Sequence, residues 1–283
     1  MHVLVAGCGW LGAAVARALV ARGERVTGIR RDPARAAALA ELGVTPLALD
    51  LSAPGAAPAL PRDVDAVVAC QSASGDGAEA YRRAYVHGNG ALLELAAAGR
   101  VRSFVYTGST GLFGQRDGGD VDEDAPPSPA SLTAEVLVEA EALVAAAAVA
   151  GIPARVVRLS GLYGPGRLGT IDRVRRGALA LGPGDDAWMN FCHQGDAVAT
   201  VLAALDRGRA GAVYHGSDAA PPRRREVVEW IAARLGVAPP RAEAGGPPGP
   251  NRRVLAERTR RELGVALRYP SFREGFAEHL PPR

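Results

Sequence analysis

Gly7, Gly9 and Gly12, in the stretch Val3-Leu-Val-Ala-Gly-Cys-Gly-Trp-Leu-Gly12, have the spacing of a phosphate-binding turn. A missing side chain at each point lets the backbone bend tightly and brings N–H groups close to a pyrophosphate. A helix opening at Trp10 and Leu11 turns its positive end to the same anion. Further on, Arg30 and Arg31 stand at the expected end of the second strand. A carboxylate there accepts hydrogen bonds from a ribose 2′-hydroxyl, whereas paired guanidinium forks suit a 2′-phosphate. The expected cofactor is NADP(H), with NAD(H) left open by the adjacent Asp32. Asp50, just after the third strand, serves either an adenine edge or the turn of its own loop. Cys70 ends the fourth strand, either beside the cofactor or as a small buried filler. All 33 basic residues are arginine. Lysine chemistry is thereby excluded: no Schiff base, no P-loop lysine, no lysine-assisted proton relay.

Holding these groups in place takes a regular frame. Short apolar runs predict strands over 2–6, 25–29, 45–49, 65–69, 103–107 and 155–159. Longer Ala-rich segments predict helices over 11–22, 33–42, 78–98 and 133–150. Such alternation implies an α/β fold, a Rossmann-type doubly wound parallel sheet with both faces covered. Beyond Gly166 the alternation weakens and Gly, Pro and Arg become frequent. The expected division is a dinucleotide-binding domain over 1–165 and a smaller substrate-binding lobe over 166–283, part of which is free to return to the sheet. Residues 238–250 read as a loop.

The chain has 283 residues, 48% hydrophobic and 22% charged, an ordinary globular composition. A net charge of +3 is the small difference between 33 basic and 30 acidic residues, and the arginine pairs are scattered, so no nucleic-acid partner is expected. Cys8, Cys70 and Cys192 lie far apart, which fits a reducing compartment and lacks zinc-ligand spacing; no metal is expected. Gly7, Gly9, Gly12 and Arg17 interrupt the apolar N-terminal run, which has no charged leader. No other stretch reaches the roughly 20 apolar residues of a membrane helix. The expectation is a soluble, cytoplasmic protein with a small-molecule substrate and no membrane partner; a homodimer is compatible with it.

Several blocks carry a family likeness. They are Phe104-Val-Tyr-Thr-Gly-Ser109-Thr110-Gly-Leu-Phe-Gly114, Arg158-Leu-Ser-Gly-Leu-Tyr163-Gly-Pro-Gly-Arg167 and Asn190-Phe-Cys-His193-Gln-Gly-Asp196, with Tyr269-Pro-Ser-Phe-Arg-Glu-Gly near the end. In this order the chain resembles the short-chain dehydrogenase/reductase superfamily, in the extended or atypical branch of NAD(P)-dependent epimerases and dehydratases, and looks most like its YeeZ-like subgroup.

The resemblance implies proton chemistry by a Ser, a Tyr and a Lys spaced YxxxK, with an Asn behind them. Ser109 falls on the serine position. Thr133 and Leu137 fall on the tyrosine and lysine positions, and Tyr85 falls on the asparagine. The usual mechanism therefore does not carry over. Ser109 remains to orient a substrate oxygen beside the nicotinamide, and Tyr163 is the leading phenolic acid, with packing on the cofactor as its other reading. Tyr85 follows, a core tyrosine or a catalyst. His193, with Asp196 three residues on, is either a general acid or a structural hydrogen-bonded histidine. Glu135 and Glu139 read as solvated. Arg167 or Arg173 meets a diphosphate if the substrate is a nucleotide sugar. Two functions follow. One is an oxidoreductase or epimerase-like enzyme on a small hydroxyl- or carbonyl-bearing metabolite or a nucleotide sugar. The other is a non-catalytic NADP(H)-binding sensor that has lost its YxxxK pair.

Overall fold

Val3, Leu4, Val5 and Ala6 are completely buried, and an apolar run covered on both faces belongs in the middle of a parallel sheet. The computed structural model describes residues 1–182, 186–238, 240 and 249–281. Its strands are β1 (His2–Ala6), β2 (Arg25–Arg30), β3 (Thr45–Ala48), β4 (Ala66–Ala69), β5 (Ser103–Ser109), β6 (Asp120–Val121), β7 (Ala154–Leu159), β8 (Gly161–Tyr163), β9 (Phe191–His193), β10 (Val213–Gly216) and β11 (Arg253–Val254). The helices are α1 (Trp10–Ala21), α2 (Pro33–Ala37), α3 (Ala78–Tyr81), α4 (Gly88–Ala97), α5 (Leu132–Val149), α6 (Gly169–Arg175), α7 (Gln194–Arg207), α8 (Arg224–Leu235), α9 (Glu257–Leu263) and α10 (Phe272–Ala277).

Seven strands form one parallel sheet in the order β3-β2-β1-β4-β5-β7-β10, flanked by helices: the Rossmann-type fold expected from the sequence. Strand order reverses between β1 and β4, and in open sheets ligands bind at such a switch point, beyond the carboxyl ends of the strands. The register decides what meets there. Ala6 lies opposite Ile29 on one side and Ala69 on the other, and Ala69 lies opposite Tyr106. Gly7, Arg30, Cys70 and the end of β5 therefore emerge along one edge.

Several elements differ locally from expectation. The helix expected over 33–42 is α-helical only over Pro33–Ala37 and tightens to a 3₁₀ turn over Ala38–Leu42. The helix expected over 78–98 contains a π turn, Arg82–His87, between α3 and α4. The strand expected over 103–107 runs on to Ser109. Most of the loop expected over 238–250 lies outside the described residues.

The chain divides into two compact units, neither contiguous in sequence. One comprises Met1–Leu112, Pro129–Arg158 and Val198–Tyr214; the other comprises Phe113–Ser128, Leu159–Ala197 and His215–Arg283. A single cut at 165 differs from this division. Residues 198–214 return to the first unit, where buried Arg155 donates to Ala204 O (2.9 Å) and Ser103 Oγ donates to Leu205 O (2.7 Å), and β10 lies beside β7 in the sheet. The core of the first unit gathers Leu4, Val67, Phe104 and Tyr106 with residues of α4 and α5. The second unit is built on Tyr163, Phe191, Ile231, Phe272 and Phe276. Its polar anchors are Asp196, accepting from the Arg268 and Tyr269 N–H groups, and Glu123, accepting from Thr259. Among the described residues no helix is long and apolar enough to cross a membrane.

Candidate functional site

The three glycines of the first turn do different work. Gly7 has φ +79°, and a Cβ there would lie 2.3 Å from Gln71 Cα. At Gly12 a Cβ would lie 2.4 Å from Gly7 O, so the first and third glycines allow chain segments to touch. Gly9 is different. Its nearest neighbour would be Gly7 O at 3.9 Å, leaving open space above the backbone, as a cradle for a pyrophosphate needs. The Gly7 and Cys8 N–H groups donate to Ile29 O at 3.2 and 2.9 Å, fixing the turn to β2. No side chain caps the start of α1, and its first turn holds no acidic residue. The positive end of the helix is left for an anion.

Gly7 and Gly9 line a cleft of about 280 Å³ together with Arg30, Arg31, Arg35, Asp50 and Arg83. Arg30 Nε donates to Cys8 O, within the glycine turn, and Arg31 donates to Ser74 Oγ. Asp32 caps α2 by accepting from Arg35 N at 2.7 Å. Asp50 Oδ1 accepts from the Ser52 N–H (2.9 Å) and hydroxyl (2.7 Å), so it shapes its own loop and also faces the cleft. Burial acts to raise its pKa, but these two bonds, with Arg31 and Arg83 nearby, hold it below the usual carboxylate range. Trp10, Leu11, Gly12, Cys70 and Ser109, expected at the cofactor, lie outside this lining. Cys70 is buried and its thiol is pushed up to about 12, which leaves little thiolate at neutral pH. Nothing local in the sequence distinguishes Arg35 and Arg83 from solvated arginines on helices.

Ser109 ends β5, and its Oγ accepts from Gly111 N at 3.0 Å, which leaves the hydroxyl proton to donate. At the positions of the missing pair, Thr133 Oγ1 lies 3.0 Å from Ser131 Oγ and Leu137 is buried. Tyr85 packs edge-on against Tyr81 and Tyr106, with ring centroids 5.3 and 6.4 Å apart, and burial raises its pKa.

In the second unit Tyr163 is 3% exposed, ringed by Phe191, His193 and Phe276. Its hydroxyl fills the space over Gly275, where a Cβ would come within 2.2 Å, and burial drives its pKa far up. These are the surroundings of a packing residue, and a phenol so held is a poor proton donor. His193 Nδ1 accepts from Gly195 N at 3.1 Å, and its ring stacks on Tyr269 at 3.7 Å. Burial lowers its pKa. Glu278 and His279 each bring a ligand atom within 4.8 Å of it, a spacing a metal could use. With Nδ1 accepting, however, the neutral ring carries its proton on Nε2, which opposes metal binding there. Arg167 and Arg173 line a cavity of about 310 Å³ with Tyr163, Phe191 and Phe276.

A glycine turn at the end of β1, a helix opening from it and an arginine-lined cleft at the switch point define a dinucleotide-binding α/β protein. The sequence profile of the NAD dependent epimerase/dehydratase family matches residues 3–216, and the chain belongs to that family. Protein YeeZ of Escherichia coli (strain K12) is 30% identical over 274 residues, 95% of this chain and 96% of that protein. The 3-diazoavenalumate denitrifying reductase of a Streptomyces species is 32% identical over 309 residues, covering 98% of this chain and 99% of the reductase. Among solved structures, a double mutant of DesIV, the dTDP-glucose 4,6-dehydratase of Streptomyces venezuelae, holds NAD and is 25% identical. It superposes with a TM-score of 0.83 over 98% of this chain and 95% of its own.

Proposed function

We propose that the chain is an NADP(H)-dependent oxidoreductase of this family, acting on a small hydroxyl- or carbonyl-bearing metabolite or a nucleotide sugar. One observation carries the cofactor choice. Four guanidinium groups, of Arg30, Arg31, Arg35 and Arg83, line the cleft, and among the described residues none forms an ion pair with a carboxylate. Both carboxylates of the lining, Asp32 and Asp50, are occupied with backbone N–H groups. The cradle over Gly9 fits a dinucleotide, and a nicotinamide bound there supplies a hydride. The chain's own residues do the rest. The glycine turn and α1 take the pyrophosphate, exposed arginines of the cleft take a 2′-phosphate, and Ser109 orients a substrate oxygen with its free hydroxyl proton. Tyr163 is assigned to packing. The reductase activity in the name of the Streptomyces relative supports the reductive direction. A nucleotide sugar draws support from the dehydratase neighbour's name and from Arg167 and Arg173 at the second cavity.

A second reading, a cofactor sensor, is favoured by Thr133 and Leu137 in place of the tyrosine and lysine. Fluorescence titration of NADPH and NADH, followed by NADPH oxidation with a panel of aldehydes, ketones and nucleotide sugars, separates the readings. Tighter binding of NADPH with turnover supports the enzyme. Binding without turnover on any member supports the sensor, and equal affinities overturn the choice of NADP(H).

A further inference from the structure

We infer that Arg83 is a second phosphate-reading residue of the cofactor cleft, acting with Arg31 on the ribose 2′-phosphate, while Arg30 positions the glycine turn for either cofactor. This rests on the NADP(H) reading above and divides its labour among particular arginines.

Arg30 is half-buried, and its Nε–H is spent on Cys8 O, the carbonyl between Gly7 and Gly9. That bond ties the end of β2 to the turn that must receive the pyrophosphate, a part common to both cofactors. Arg31 is exposed, and among the described residues it bonds only a hydroxyl, that of Ser74. A neutral bond of this kind is readily exchanged for a charge-assisted one to phosphate.

Arg83 comes from a different element. It lies in the π turn Arg82–His87, and such turns change the direction in which successive side chains leave a helix. Its neighbour Arg82 pairs with Glu139 at 2.7 Å. Arg83 is exposed, lines the cleft, and has no such carboxylate among the described residues. The adjacent arginines thus part company, one on the surface of α5 and one at the cofactor. Arg31 and Arg83 also act together on Asp50, helping to hold its carboxyl below the usual range. Two cations from separate elements, the turn after β2 and the π turn, therefore line the same cleft as Asp50, whose Oδ1 already serves Ser52. A phosphate monoester, with close to two negative charges near neutrality, matches the pair. A ribose 2′-hydroxyl offers no charge, so NADH leaves both guanidiniums to water.

The test is a set of NADPH and NADH titrations on the full chain carrying R30A, R31A, R83A or R83K, each checked for an unchanged melting transition. R83A weakens NADPH by about tenfold or more and leaves NADH within about twofold. R83K recovers part of the loss, because an ammonium keeps the charge without the planar fork. R31A behaves like R83A, and R30A weakens both cofactors alike. A wild-type preference for NADPH that survives intact in R83A overturns the role of Arg83 alone. Equal losses of both cofactors in R83A do the same. A loss confined to NADPH in R30A overturns the positioning role of Arg30. A wild-type chain without preference for NADPH overturns the underlying cofactor reading, and the clamp with it.

Discussion

Asp218 is 2% exposed, and among the described residues its Oδ2 has no hydrogen-bond partner. Burial first, and then the charges of Asp196 and Glu274, push its pKa from 3.8 to about 8. The folded chain keeps this proton to about pH 8, whereas the unfolded chain releases it near the ordinary carboxylate value of 3.8. Between these limits unfolding releases a proton, so this group's contribution to stability falls as pH rises. Asp218→Asn keeps the shape and removes the titration. The variant should match the wild type near pH 4 and exceed it by several kcal/mol at pH 8, read from denaturant midpoints across that range. Parallel pH curves would sink the assignment. In sequence Asp218 is one acid in a Gly-Ser-Asp-Ala stretch, with nothing to mark its burial. Tyr163 teaches the same lesson. A tyrosine after a strand looks able to reach a crevice, and only the packing of Phe276 and Gly275 against its ring shows where the phenol goes. The glycines are the opposite case, because the steric demand that selects them lies within a few residues of chain.

At the level of elements, Glu141 of α5 and Arg158 of β7 form a buried fork, with Arg158 Nε and Nη2 2.8–3.1 Å from the carboxylate oxygens. Gly108 admits this pair to the sheet, since a Cβ there would lie 2.9 Å from Glu141 Oε1. Glu141→Ala takes the carboxylate from a buried guanidinium and should cost about 3–5 kcal/mol in denaturant unfolding. Glu141→Leu combined with Arg158→Met should recover most of that loss; a double variant as unstable as the single one would contradict the account. Glu139 and Glu141 look alike in a helical pattern, yet Glu139 meets exposed Arg82 and Glu141 enters the core. A pattern of one residue type every few positions identifies a helix and leaves open which side meets which strand. The π turn is less legible still, because α and π turns share the same residue preferences.

Over the whole molecule, the sheet-bearing unit is completed by Val198–Tyr214, far along the chain from its first strands. Ending the chain at residue 165 removes β10 and takes Ala204 O from buried Arg155. The fragment 1–165 should therefore lack the cooperative melt of the full chain and expose apolar surface. Circular dichroism and dye binding check this, and a fragment melting like the full chain would refute it. A sequence boundary drawn where alternation fades marks where the connections become irregular. It does not mark which segments share a core.

Short-range physics made the α/β class, the positions of the first strands and the glycine turn readable in the sequence. Strand burial, helix period and glycine sterics act over a few residues, and each leaves a local pattern. The absence of lysine was equally plain, and with it the loss of the usual proton relay. The tertiary structure alone decided that Arg83 faces the arginine-lined cleft, that Tyr163 is packed away, and that residues 198–214 return to the first unit. Each depends on contacts between segments distant in sequence, where burial and field come from neighbours that no local spacing encodes.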